Sequence, residues 1–177
     1  MNDLDNLAIK YGTDKYAKHR YTAFYYELLK FKRESFKKIL EIGVGEGQSL
    51  RMWRDFFPNA QVYGADIAKE AVFKDERLET FRCDERDKSQ VEKLIEKIGS
   101  DIDLVIDDAS HHVNDQIFLC KTLMPLLKKD VIYIIEDCRH TRAMRAQLSE
   151  YDFFIPALLA NGDPKMHDRL YVVTNKK

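Results

Sequence analysis

The sequence predicts an α/β domain with a mostly parallel sheet, helices on both faces and an antiparallel hairpin at one edge. Three observations carry that prediction. Short apolar runs alternate with segments of helical period, consecutive runs end on an acidic residue, and the first run opens into a glycine turn. The chain has 177 residues, 45% of them hydrophobic, which suits one ordinary domain with a packed core over residues 1–177. Residues 1–35 precede the first strand and are expected to form a helical segment packed on that core.

The elements follow in order. Lys38–Ile42 is a short apolar run that breaks into glycines, and residues 49–57 return to helical spacing through Leu50, Trp53 and Phe57. This reads as strand, turn, helix. A second strand ends on Asp66, and a third, over residues 79–83, ends on Asp84. A charged helix over Lys88–Ile98 leads to a strand at 102–106 that meets Asp107-Asp108. A helix at 114–127 then leads to a strand at 131–135 that meets Glu136-Asp137. The apolar segments 153–159 and 169–174, separated by Asn161-Gly162-Asp163-Pro164, are expected to make the edge hairpin.

Composition narrows the function. With 29 Lys plus Arg against 30 Asp plus Glu, the formal charge is −1, which gives no bias toward nucleic acid or anionic lipid and favours a small-molecule substrate. Three cysteines, Cys83, Cys120 and Cys138, match neither a disulfide framework nor a zinc site, so reduced thiols in a cytoplasmic protein are expected. The first ten residues carry two aspartates and no apolar run, and no stretch approaches the ~20 apolar residues of a membrane span. A soluble, unexported protein is the expectation.

Open α/β sheets bind ligands beyond the carboxyl ends of their strands, which is where the acids cluster. In Glu41-Ile42-Gly43-Val44-Gly45-Glu46-Gly47-Gln48-Ser49 the glycines let the backbone turn sharply against a ligand. A dinucleotide fingerprint would have its third glycine where Gln48 stands, and Glu46 would repel a pyrophosphate. S-adenosylmethionine has no phosphate and is cationic at its sulfonium and ammonium, so acids such as Glu41 are tolerable or helpful beside it. Asp66 is spaced to accept both ribose hydroxyl hydrogens, and Asp84 is placed near the adenine. Gly43, Gly45, Gly47, Ser49 and Asp107 complete the expected cofactor set on the strand ends, and Tyr11, Thr13 and Lys15 are expected to close the pocket from the N-terminal side.

Asp108, Glu136 and Asp137 lie at the ends of what should be adjacent parallel strands, about 4.8 Å apart, where carboxylates can share a hard cation such as Mg²⁺. Zinc held by His111 and His112 is the weaker reading, since neighbouring residues rarely reach one metal together. A metal-bound hydroxyl needs a base, and His111 is the candidate, because an unperturbed imidazole titrates near ~6.5.

At these residues the sequence resembles the metal-dependent sugar O-methyltransferases of antibiotic biosynthesis, the mycinamicin-type group within the Rossmann-like class I methyltransferases. Three blocks carry the likeness: residues 7–15 with His19-Arg20-Tyr21-Thr22 and Tyr25-Tyr26-Glu27, the glycine turn, and residues 107–112 with Ile135-Glu136-Asp137. The resemblance implies S-adenosylmethionine and Mg²⁺ as cofactors, Asp108, Glu136 and Asp137 as metal ligands and His111 as general base. It also implies methyl transfer to a sugar hydroxyl in a secondary-metabolite or surface-polysaccharide pathway. The group carries an additional N-terminal region used in assembly, whereas here the first block begins at Leu7, so a homo-oligomer is left open. Arg139, His140, Arg142 and Arg145 fall where acceptor contacts are expected, either facing an anionic acceptor or forming a solvated helix face. Cys83-Asp84-Glu85 stands where the group has glycine-aspartate-glutamine. The alternative to an enzyme is a cofactor-binding or assembly protein that kept the fold without catalysis.

Overall fold

A computed structural model describes residues 1–156 and 169–176. Before the first strand come three helices, α1 (Asp3–Tyr11), α2 (Asp14–Ala17) and α3 (Tyr21–Leu29). Asn2 and Asp5 form a reciprocal capping box at the start of α1, and Gly12 ends that helix in the left-handed region. The strands are β1 (Lys38–Ile42), β2 (Gln61–Asp66), β3 (Lys74–Asp75), β4 (Leu78–Arg82), β5 (Leu104–Asp107), β6 (Ile132–Ile135), β7 (Asp152–Phe154) and β8 (Tyr171–Thr174). The later helices are α4 (Gln48–Phe56), α5 (Lys88–Ile98), α6 (Val113–Leu123) and α7 (Thr141–Gln147).

The sheet runs β3-β4-β2-β1-β5-β6-β8-β7. Its five central strands are parallel, β8 pairs antiparallel with both β6 and β7, and β3 pairs antiparallel with β4. The β7–β8 pairing bears out the expected edge hairpin, while the Asn161-Gly162-Asp163-Pro164 turn lies outside the described residues. β3 went unforeseen because two exposed residues carry no apolar pattern to read. The helix expected over 114–127 stops at Leu123, and Pro125, which lacks an N–H, sits in the 3₁₀ turn Met124–Leu126 that follows.

Alternation along the strands divides the core between two faces. Leu40, Val105, Tyr133, Ile135 and Val173 point to one cluster, completed by Val91, Leu94, Leu119, Leu123 and Met144 from α5, α6 and α7. Ile39, Leu104, Ile106, Ile134 and Val172 point to the other, completed by Leu4, Tyr21, Tyr25, Leu50, Trp53 and Phe56 from α1, α3 and α4. Trp53 is fully buried there, edge-on to Tyr25 at 5.0 Å, and burial of a large apolar side chain of this kind is worth about 1.5–3 kcal/mol. The N-terminal helices thus form part of one helical layer. Glu41 shares the β1 face of Ile39, so period two alone directs a carboxylate into that layer.

Candidate active site

The strand order reverses between β1 and β5, and a cavity of about 640 Å³ opens beyond the carboxyl ends of the parallel strands. Its walls come from the β1 turn, the ends of β2, β5 and β6, residues 85–86, and the N-terminal segment around Gly12, Thr13, Asp14 and His19.

On the β1 side the backbone turns through Gly43, Gly45 and Gly47, all at positive φ. Gly43 is the position where a side chain is excluded outright, since a Cβ would lie 2.1 Å from the Asp108 carbonyl oxygen. Asp66 Oδ2 accepts the N–H groups of Val44 and Gly45 at 2.8 and 3.2 Å, and Oδ1 accepts that of Ala68 at 2.8 Å. The β2 acid therefore braces the glycine turn as well as lining the cavity.

On the β5–β6 side, Asp108, His111 and Asp137 bring one ligand atom each within 4.8 Å of one another. His111 and Asp137 both have left-handed backbones, at φ 57° and 53°, a conformation that costs a non-glycine residue roughly 1–2 kcal/mol. His111 Nδ1 stands 3.8 Å from Asp137 Oδ2 and makes no hydrogen bond. Glu136 is buried beside them, its carbonyl held by Gln116 Nε2 at 2.9 Å.

The N-terminal segment fastens each of these acids. Lys15 is 1% exposed, and its Nζ lies 2.7 Å from Asp108, 2.8 Å from Glu136 and 3.4 Å from Glu41. Tyr25 Oη donates to Glu136 at 2.5 Å and Tyr21 Oη to Asp137 at 2.6 Å. Burial works against the Lys15 charge, but Asp108, Glu136 and Glu41 outweigh it and hold its pKa well above the ordinary value. Burial raises Glu41 to about 7 although Lys15 opposes the rise, and raises Glu136 well above the usual carboxylate range. Asp107 is pushed to about 8, again chiefly by burial. One ammonium does not balance so many buried acids. A hard divalent cation fits this oxygen-rich set, and the partnerless nitrogen of His111 at its edge fits the same place.

Of the residues singled out from sequence, Thr13, Gly43, Gly45, Ser49, Asp66, Asp108, His111, Glu136 and Asp137 line the cavity together. Tyr11, Glu41, Gly47, Asp84 and Asp107 do not. Tyr11 turns away to donate to Asp55, and Gly47 sits against the Phe73 ring. Asp84 is engaged by Arg86 at 2.9 Å, leaving Glu85 and Arg86 on the cavity wall in its place. Glu41 and Asp107 are buried beneath the site. Lys15, expected to close the pocket, is instead sunk among the acids. Tyr21 and Tyr25 anchor Asp137 and Glu136, a role that sequence alone does not reveal although both stand in the N-terminal block of residues 19–27.

A doubly wound sheet with a glycine turn on one side of its switch-point cavity and acids on the other is the architecture of a class I methyltransferase fold. The chain belongs to the methyltransferase domain family, whose profile matches residues 33–172. Among its relatives are the 8-demethyl-8-alpha-L-rhamnosyl tetracenomycin-C 2'-O-methyltransferase of Streptomyces olivaceus and the mycinamicin VI 2''-O-methyltransferase of Micromonospora griseorubida. The first is 37% identical over 141 residues, covering 76% of this chain and 37% of that protein. The second is 34% identical over 146 residues, covering 76% and 36%. The chain thus spans little more than a third of the length of the curated relatives it matches. The structure of the MycE methyltransferase from the mycinamycin biosynthetic pathway, in complex with Mg and SAH, has the same fold. Its TM-score is 0.80 at 24% identity, over 98% of this chain and 54% of that one.

Proposed function

We propose that this chain is an S-adenosylmethionine-dependent O-methyltransferase, acting with Mg²⁺ on a hydroxyl of a sugar or glycosylated small molecule. The observation that carries the reading is the cavity itself, with the Gly43–Gly45 turn on one wall facing Asp108, His111, Glu136 and Asp137 on the other. Relatives named as acting on glycosylated tetracenomycin and mycinamicin support the acceptor class. The near-neutral chain charge supports a small molecule over nucleic acid. Among the described residues no helix is long and apolar enough to cross a membrane.

In this reading Thr13, Gly43, Gly45, Ser49 and Asp66 receive the cofactor, and Asp108, Glu136 and Asp137 hold the cation. An all-carboxylate set suits Mg²⁺ and leaves the imidazole free for proton transfer. The bound cation supplies Lewis acidity toward an acceptor hydroxyl. With both groups bound, His111 would take the acceptor hydroxyl's proton and S-adenosylmethionine would supply the methyl, the O–C bond forming as the S–C bond breaks with its electron pair left on sulfur. Residues 1–35 belong to the same working domain, since they supply the partners of all three carboxylates.

Calorimetry of S-adenosylmethionine with and without Mg²⁺ tests the reading first. Micromolar binding is expected, and an absence of binding in both conditions refutes it. Transfer of labelled methyl to a panel of glycosides then tests the chemistry, with His111→Ala expected to bind cofactor normally and to lose turnover.

A further inference from the structure

We propose that Lys15 is a positioning residue that tunes the cation site: its ammonium holds Asp108 and Glu136 together without metal and, by sharing those carboxylates, weakens the binding of the divalent cation. The inference rests on the metal reading above and adds to it a residue outside the ligand set.

The geometry is specific. Lys15 Nζ contacts two of the three carboxylates assigned to the cation, at 2.7 and 2.8 Å, and a third acid, Glu41, at 3.4 Å. With the side chain 1% exposed, its charge has no water to turn to. Nor is the backbone free to carry it away. The turn before α2 is tied to α1 through the Thr13 N–H on the Ala8 carbonyl at 3.1 Å, and the residues after it are tied through the Lys18 and His19 N–H groups on the Asp14 carbonyl. A cation bound by Asp108 and Glu136 therefore sits within a few ångströms of a fixed positive charge, and like charges at that range repel strongly where water is excluded. In return, the ammonium offsets part of the repulsion between Asp108 and Glu136 when the cation is gone, an arrangement that would otherwise be costlier still. Lys15 trades affinity for a site that is already shaped before the cation arrives.

The test is a Mn²⁺ titration of the full chain followed by electron paramagnetic resonance of the free ion, on the wild type, Lys15→Met and Lys15→Gln. Each is also melted with and without Mn²⁺. Both variants are expected to bind Mn²⁺ at least tenfold more tightly, about 1.4 kcal/mol. Their metal-free melting temperatures should be lower than that of the wild type and their gain on adding Mn²⁺ larger. Tighter binding is a result that simple structural damage does not produce. Lys15→Gln keeps a donor toward the carboxylates, so it is read by the same criterion should Lys15→Met fail to fold. Affinity equal to or weaker than that of the wild type overturns the role of Lys15 and leaves the metal reading intact. Absence of Mn²⁺ uptake by wild type and variants alike removes the metal reading, and this inference with it.

Discussion

Gly43 allows the β1 turn to press against the end of β5, and replacing it with alanine separates two kinds of cost. A Cβ there would lie 2.1 Å from the Asp108 carbonyl oxygen, 2.6 Å from its carbon and 2.9 Å from Ala109 Cα, all backbone atoms that have no rotamer to escape into. Its φ is +93°. Gly45 and Gly12, at φ +52° and +72°, have nothing within 4 Å of such a Cβ and so isolate the conformational strain. For those two, Gly→Ala should cost about 1–2 kcal/mol. At Gly43 the strands must also part. That stretches the Asp108 N–H bond to the Ile42 carbonyl, 2.8 Å, and the Gly43 N–H bond to the Ala65 carbonyl, 2.9 Å. With each bond worth about 0.5–1.5 kcal/mol, the total reaches about 2–5 kcal/mol. At about 2–4 °C per kcal/mol for a chain of this size, Gly43→Ala should lower the melting temperature by about 4–20 °C and the other two by about 2–8 °C. Thermal and urea unfolding of the three variants measures this. If Gly43→Ala melts within 2 °C of Gly45→Ala, the close approach of turn and strand is not what confines position 43 to glycine.

Other outcomes follow from the same geometry. Burial raises the Glu41 pKa to about 7, so the folded state binds that proton more tightly than the unfolded chain; the stability this confers is complete below about 4.5 and is lost as pH rises through 7. Glu41→Gln should flatten the stability profile between pH 5 and 8, which urea titrations at each pH will show. Asp55 goes the other way. Burial opposes its charge, but hydrogen bonds from Tyr11, Lys10 and Arg54 prevail and lower it to about 2, so its contribution is present above about 4 and disappears as pH falls through 2. Asp55→Asn should therefore cost about 1–2 kcal/mol near neutrality, and the cost should shrink away as pH falls through 2. Tyr25→Phe strips a donor from the buried Glu136 carboxylate and should cost about 1–3 kcal/mol in chemical unfolding, and a cost near zero would show that hydroxyl to be dispensable.

Much of this protein is local and therefore legible. The strands at Lys38–Ile42 and Gln61–Asp66 and the helix at Lys88–Ile98 stand where apolar period and glycine spacing put them, because those signals act over a few neighbouring residues. The acids at the ends of β5 and β6 were legible too, since parallel pairing of the two strands brings Asp108 and Asp137 to the same edge. Which acid faces the cavity was not. Asp84 and Glu85 are adjacent in sequence, and only the turn after β4 puts Glu85 on the wall while Arg86 holds Asp84 aside.

The tertiary structure alone decided what anchors the site. Lys15 and Glu136 are 121 residues apart, Tyr21 and Asp137 are 116 apart, and no local pattern couples them. They meet because the apolar faces of α1 and α3 pack on the same side of the sheet as α4, which carries a lysine and two tyrosyl hydroxyls down onto buried carboxylates. Composition and period determined the fold and the acids at its strand ends; the burial that shifts Glu41, Lys15 and Glu136 from their ordinary ionisation exists only once those distant layers have closed over them.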